Sequence, residues 1–359
     1  WKFGSLCPSQ ELLASALRNF RNVKCTGGGL LPGTDKQAME DIIPGMMHRG
    51  SAEMLRQLWV FHCVNHVIKS RDLVLKHDSN IKAAKASHRI RRQEKLAAQK
   101  IEAEIETENK DSSRLKSSKE SKNSSLKKEK EDVSSNWAEH RDQGFTRPKV
   151  LILLPFRADA FSFVQTMLSF LPKKIASTVH NQDRFNEEYG DGDEGDNNHT
   201  DESEKKNSST ITWQDIFQGN CDDCFKLGIS FGKNAVKLYS DFYSSDILVA
   251  SPMALRMQIG EVEGIVEGET QKKRDVDFLS SIEIVVIDRA DVMMMQNWKH
   301  VSDVMSALNL LPQEAHDTNF SRVRELNLRG QAKYYRQSLL FSSYDDAQLN
   351  ALFPFFFII

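Results

Sequence analysis

Four short apolar runs, each closed by a proline, an aspartate or a serine, constrain this chain more than any other feature. They are Lys149-Val-Leu-Ile-Leu-Leu-Pro155, Ser245-Asp-Ile-Leu-Val-Ala-Ser-Pro252, Ile282-Glu-Ile-Val-Val-Ile-Asp288 and Gln337-Ser-Leu-Leu-Phe-Ser-Ser343. A strand without apolar/polar alternation has to be buried on both faces, which places it in a parallel sheet covered by helices. Helical patterns lie between the runs, at Ala160 to Phe170 and Trp298 to Leu310. Apolar strands alternating with helices predict a doubly wound α/β domain. In such a sheet, ligands meet the residues just past the carboxyl ends of the strands. Here those residues are Pro155-Phe-Arg157, Ser251-Pro252, Asp288-Arg-Ala-Asp291 and Ser342-Ser343.

The rest of the chain is segregated by charge, which its near-neutral total of 48 Lys+Arg against 50 Asp+Glu conceals. Lys110 to Lys130 holds 8 Lys/Arg, 3 acids and 7 Ser, with Leu115 and Leu126 its only apolar side chains. Such a stretch cannot bury enough surface to offset its ordering entropy, so residues 109–143 are expected to form a disordered basic linker. Asp183 to Lys206 carries 10 Asp/Glu and 3 Lys/Arg around Gly190, Gly192 and Gly195, and reads as an acidic insertion in a domain of residues 144–350.

Residues 52–108 read as helical. Leu55, Leu58, Trp59, Cys63, Val67 and Leu75 recur at spacings near 3 and 4 within Ala52 to Lys76, which predicts one buried stripe. Ile81 to Ile105 is built of good helix formers with an excess of base, and reads as an exposed basic helix. Residues 1–51 carry no assignment, and residues 351–359 form an atypical apolar tail. No apolar run reaches the ~18 residues of a membrane span. Five cysteines without framework spacing exclude a disulfide-stapled module. The chain opens at Trp1 with no basic-then-apolar leader, so the expectation is an intracellular, soluble fragment.

In order, the four strand ends resemble the first, RecA-like core domain of the DEAD-box RNA helicases. Pro155-Phe-Arg157 stands where that family has Pro-Thr-Arg, and Ser251-Pro-Met-Ala-Leu255 where it has Thr-Pro-Gly-Arg-Leu. Asp288, Arg289, Ala290 and Asp291 stand at Asp-Glu-Ala-Asp, and Ser342-Ser343 near Ser-Ala-Thr. Nucleotide hydrolysis needs a Gly-rich loop followed by Lys-Ser/Thr. Gly28 to Gly33 has the glycine spacing, but Thr34 and Asp35 follow it and no strand pattern precedes it. Gly232-Lys233 is followed by Asn234, with Leu227 where the first Gly belongs. The Glu that activates water in helicases is Arg289 here, and a general base contributes about 10²–10⁴-fold in rate. The expectation is a domain with no catalytic residues, no cofactor and no small-molecule substrate.

A narrower resemblance rests on Tyr239-Ser-Asp-Phe-Tyr-Ser-Ser-Asp246, Asp275 to Leu279 with Ser280-Ser281, and Met295-Gln-Asn-Trp-Lys-His-Val301. Glu314-Ala-His316, Phe320-Ser-Arg-Val-Arg324, Lys333-Tyr-Tyr-Arg-Gln337 and the helix Leu58 to Arg71 extend it. These strings look like the digestive organ expansion factor family: nucleolar proteins of the small-subunit processome, grouped with the small nucleolar RNA-associated proteins and regarded as degenerate helicases. The resemblance implies a noncatalytic RNA-binding scaffold in the nucleus and nucleolus, acting in pre-rRNA processing. Its implied partners are small nucleolar RNA, pre-rRNA and other processome proteins, with no membrane. An active ATP-dependent RNA helicase and a protein–protein adaptor without RNA contact are the alternatives.

The candidate RNA-contacting residues are Arg157, Ser251 and Pro252 at two strand ends, and Arg322, Arg324, Lys333, Tyr334 and Arg336 in the basic and aromatic stretch before the fourth strand. Cations would neutralise phosphates and tyrosines would stack on bases. The competing reading of that stretch is a solvated helix face. Cys221-Asp-Asp-Cys224 has the spacing of half a zinc site but lacks a second half, so no metal is expected. His62 and His66 share a helix face and read as structural, and Met293-Met-Met295 reads as core filler.

Overall fold

All four apolar runs are strands, and each is buried along its whole length. The computed structural model describes residues 8–26, 29–31, 49–108, 140–176, 178–190, 217–260, 275–316 and 318–356. They fall into two compact units, one of Trp1–Ile68, Gly144–Thr318 and Glu325–Ile359, the other of Lys69–Gln143 and Asn319–Arg324.

The first unit holds the sheet. In chain order its strands are β1 (Val23–Thr26), β2 (Gly29–Leu31), β3 (Val150–Leu153), β4 (Val179–His180), β5 (Lys226–Phe231), β6 (Val236–Leu238), β7 (Ile247–Ala250), β8 (Ile284–Ile287) and β9 (Gln337–Phe341). Their spatial order is β2-β1-β9-β8-β3-β7-β5-β6-β4. The strands β1, β9, β8, β3 and β7 run parallel, with Leu153 of β3 level with Ile287 on one side and Ala250 on the other. β5 is antiparallel to both its neighbours. The architecture is mixed α/β with a mostly parallel sheet.

The pleat divides each apolar run between two cores. Val150, Ile152, Ile247, Val249, Ile284, Val286, Leu339 and Phe341 enter one. Leu151, Leu153, Leu248, Ala250, Val285, Ile287 and Leu340 enter the other. Helices α1 (Pro8–Arg18), the start of α2 (Arg49–Glu108) and α3 (Arg157–Ser169) cover the first core. There Trp59 stacks on Phe163 with ring centroids 5.7 Å apart. Helix α4 is Gln182–Tyr189. Helices α5 (Pro252–Ile259), α6 (Ala290–Gln296), α7 (Trp298–Ala307) and α8 (Ala347–Phe356) follow, and buried side chains of all four enter the second core.

Several expectations need correction. Residues 8–31, which carried no assignment, supply α1 and two strands at the sheet edge. A strand does precede the Gly28–Gly33 stretch: β1 lies parallel to β9. However, Gly29–Leu31 returns antiparallel beside β1, with Thr26 opposite Gly29. The acidic insertion begins later than its charge suggests, because residues 183–189 lie in α4 with Phe185 and Tyr189 buried; residues 191–206 fall outside the described residues. The basic tract, 109–139, also falls outside them. Residues 140–143 do not: Asp142 is buried and Gln143 bridges Val323 within the second unit. The tail residues 351–356 continue α8. The apolar stripe of α2 ends near Val67, since Leu75 is exposed.

Candidate functional site at the strand ends

The end of β8 carries a network of opposed charges. Asp288 and Arg289 leave the strand, and Arg289 takes a left-handed backbone conformation (φ 57°) before α6 begins. A non-glycine residue pays for that conformation unless its surroundings hold it. Here a carboxylate holds it. Arg289 Nη1 donates to both oxygens of Asp159, at 2.7 and 2.9 Å, in the first turn of α3. Arg56, from α2, lies on the same pair of acids. Its Nε donates to Asp288 Oδ2 at 3.3 Å, its Nη1 to Ser162 Oγ at 3.0 Å, and its Nη2 lies 3.7 Å from Asp159 Oδ1. The Arg289 N–H donates to Asp288 Oδ1. Two buried carboxylates thus face two guanidinium groups. Burial raises the Asp288 carboxyl above its ordinary range, against the opposing pull of Arg56. Ala290 and Asp291 are buried in the first turn of α6, and Asp291 Oδ1 has no hydrogen-bond partner.

At the end of β7, Ser251 caps α5: its Oγ accepts the Ala254 N–H at 3.1 Å, and Pro252 occupies the first turn. Serine as N-cap with proline after it is a helix-starting signal, and both side chains are buried in that role. At the end of β3, Arg157 sits at the start of α3, and the Arg157 and Ala158 N–H groups donate to the carbonyls of Asp222 and Asn220. The Arg157 guanidinium lies 5.1 Å from the Tyr189 ring centroid, and its Nε lies 2.8 Å from Asp222 Oδ2.

Arg157 also lines a cavity of about 420 Å³ with Arg184, Lys226, Tyr189, Tyr239 and Met257. The Arg184 guanidinium lies 4.1 Å from the Tyr239 ring centroid. Glu188 accepts from both Arg184 and the Tyr239 hydroxyl, which leaves three cations against one carboxylate on the lining. Burial and the bond to Glu188 raise the Tyr239 phenol well above its usual range, so it stays a donor.

The stretch before β9 is divided between the two units. Arg322 is buried in the second, where it makes a forked contact with Asp142 at 3.1 and 2.6 Å and pairs with Asp78. Arg324 donates to the Asp142 carbonyl in the same unit. Arg336 is buried in the first unit, where it donates to Asn309 Oδ1 at 2.7 Å; desolvation pushes it down to about 10. Neither Arg322 nor Arg336 presents its charge to solvent, contrary to a role on phosphates. Lys333 and Tyr334 are exposed, with the Lys333 ammonium 5.1 Å from the Tyr334 ring centroid. Among the eight named candidates, Arg157, Arg324, Lys333 and Tyr334 keep a surface from which a large ligand could be touched.

His62 and His66 bond Gln337 and Glu283, each at 2.7 Å, and pack on Phe20. Met293 is core, while Met295 is exposed. Cys221 and Cys224 are exposed free thiols, and among the described residues no group of three or more His, Cys, Asp or Glu is arranged to hold a metal. Sequence reading missed Arg56, Asp159, Arg184, Lys226 and Tyr239. The signal for Asp159 was its place two residues past Arg157, and Arg184 has Glu188 four residues on; the others give no local sign, since their partners come from distant segments.

The family described as "UTP25, NTP hydrolase-like domain" matches residues 107–356. The protein NUCLEOLAR FACTOR 1 of Arabidopsis thaliana is 38% identical over 85% of this chain and 36% of its own length. The U3 small nucleolar RNA-associated protein 25 homolog of Rattus norvegicus is 38% identical over 84% of this chain and 32% of its own. The U3 small nucleolar RNA-associated protein 25 of Schizosaccharomyces pombe is 37% identical over 98% of this chain and 40% of its own. The chain thus spans about a third of the length of these relatives. No solved structure matches it. With the family match covering residues 107–356 and relatives at 37–38% identity over most of its length, this chain belongs to the UTP25 family.

Proposed function

We propose that this chain is a noncatalytic, RecA-like module of a nucleolar protein, binding structured RNA and processome proteins during pre-rRNA processing for the small ribosomal subunit. The observation that carries the noncatalytic part is the matched pair of acids and guanidinium groups, Asp159 and Asp288 with Arg56 and Arg289. In a hydrolysing domain the first acid of the β8 motif would meet Mg²⁺ and the next residue would act on water. Here an arginine lies against that acid, and a second arginine stands in the place of the water-activating residue. The return of β2 beside β1 adds to this reading, because a phosphate loop needs backbone N–H groups at a strand-to-helix turn. The RNA part is supported by the relatives' names, which attach them to U3 small nucleolar RNA. It also draws on the cavity where Arg157, Arg184 and Lys226 converge beside Tyr239, a combination suited to a phosphate next to a base.

The test is a paired titration of the purified chain, with Mg–ATP by calorimetry and with single-stranded and hairpin RNA across a salt series. The expected result is no ATP heat, no RNA-stimulated phosphate release, and RNA affinity that falls with salt and drops in the R157A/R184A/K226A variant. Micromolar ATP binding with RNA-stimulated hydrolysis would overturn the noncatalytic reading in favour of a helicase. The adaptor reading is favoured by one observation, the burial of Arg322, Arg336 and Ser251. It becomes the conclusion if neither ATP nor RNA binds.

A further inference from the structure

Helix α2 continues past its packed portion, and residues 82–99 are all exposed. A helical segment with no buried face gains nothing from packing, so its composition needs another explanation. From Lys82 to Gln99 it carries Lys82, Lys85, Arg89, Arg91, Arg92 and Lys95 against the single acid Glu94. At 3.6 residues per turn these charges are not spread evenly. Lys82, Lys85, Arg89 and Arg92 follow one another at steps of 3, 4 and 3 and share one face, about 15 Å long at 1.5 Å per residue. The opposite face carries Ala83, Ser87, Arg91, Glu94 and Ala98. Like charges three and four apart repel by a few tenths of a kcal/mol per pair, so this stripe weakens the helix that carries it. A polyanion laid along the stripe turns that repulsion into attraction. The two guanidinium groups add forked donors that match phosphate oxygens.

We propose that the Lys82–Arg92 face of α2 is a second nucleic-acid site, which grips the phosphate backbone of a duplex without reading its sequence. It lies outside the residues matched by the family, in the other unit from the Arg157 cavity, and does not depend on that cavity. Binding there neutralises about three to four phosphates, each contributing ~0.9 to the slope of log affinity against log salt.

The test compares two variants of the full chain with equal net charge. K82A/R89A/R92A removes three cations from the face, and its alanines favour the helix. A83E/S87E/A98E adds three acids to the opposite face. With an RNA duplex of about 16 base pairs, K82A/R89A/R92A is expected to lose about tenfold or more in affinity at ~0.15 M salt, with a salt slope shallower by about 2–3. A83E/S87E/A98E is expected to stay within a few-fold of the parent, and far-ultraviolet circular dichroism of the parent should gain helix on binding. A DNA duplex of the same length separates a shared phosphate grip from one selective for RNA. Equal loss in both variants would mean that only total charge matters, and no loss in either would mean that the face is not used; both overturn the site. Displacement of the duplex by poly-glutamate at equal charge would reassign the face to an acidic protein. R157A/R184A/K226A, measured alongside, reports the strand-end cavity separately, so that one site can fail while the other stands.

Discussion

Arginine is used in opposite ways at the strand ends and along α2. Arg56 and Arg289 are largely buried and spend their guanidinium groups on Asp159 and Asp288. Arg89, Arg91 and Arg92 stand in solvent on a helix that buries nothing around them. The first pair holds the fold together, and breaking it strands a charge in a low-dielectric site, at a cost of several kcal/mol. The second set contributes little to stability and is available to a partner. A basic residue at a strand end is therefore no guide to RNA contact until its burial is known.

The sharpest way to break this contrast is R289E, which reverses the charge that faces Asp159. It would place a third carboxylate beside Asp159 and Asp288, and we expect a loss of about 3–5 kcal/mol in urea unfolding with no ATPase gained. Hydrolysis by that variant would refute the structural role of Arg289. Next in size is R336A, which removes a buried cation and leaves Asn309 Oδ1 unsatisfied; about 2–3 kcal/mol should be lost, read by the same titration. S251A should cost about 1 kcal/mol through loss of the α5 cap. RNA affinity measured on this variant should not move, since the serine is spent inside the protein. The smallest effect sits at the other pole, where K82A should leave the melting midpoint unchanged while altering RNA affinity.

Acid sharpens the same contrast. Asp277 is buried enough to raise its carboxyl, but the Gln313 and Glu314 N–H groups and His316 outweigh that and hold it below the ordinary range. A carboxylate with a depressed folded value stabilises above its unfolded value and loses that contribution as pH falls through the folded one. The loss should therefore set in below about pH 4. D277N should be less stable near neutrality and flatter on the acid limb, checked by urea midpoints at a series of pH values. A parallel acid limb in both proteins would remove Asp277 from the account.

The legible parts of the fold were those with a local cause. The strands β3, β7, β8 and β9 announce themselves because burial on both faces demands unbroken apolar runs. The helices α3 and α7 follow from periodicity. β1 stayed hidden because Lys24 interrupts it, and that ammonium is satisfied by Asp345 and Asn350, more than 300 residues away. β4 and β6, at two and three residues, are too short to show a pattern. The site divides in the same way. Ser251-Pro252 could be read as a cap from two adjacent residues, whereas Arg157 gained its cavity only when α4 brought Arg184, Glu188 and Tyr189 beside it.

By itself, then, the sequence determined the alternation of apolar strands and helices, the arginine that follows Asp288, and the exposed basic half of α2. Each of these depends on residues within a few turns or one strand of each other. Only the tertiary structure decided which cations are spent: Asp159 lies 130 residues from Arg289, and Asp142 lies 180 from Arg322. Charge pairing acts through space over a few ångströms, and the chain brings such partners together only after its apolar strands have chosen their neighbours.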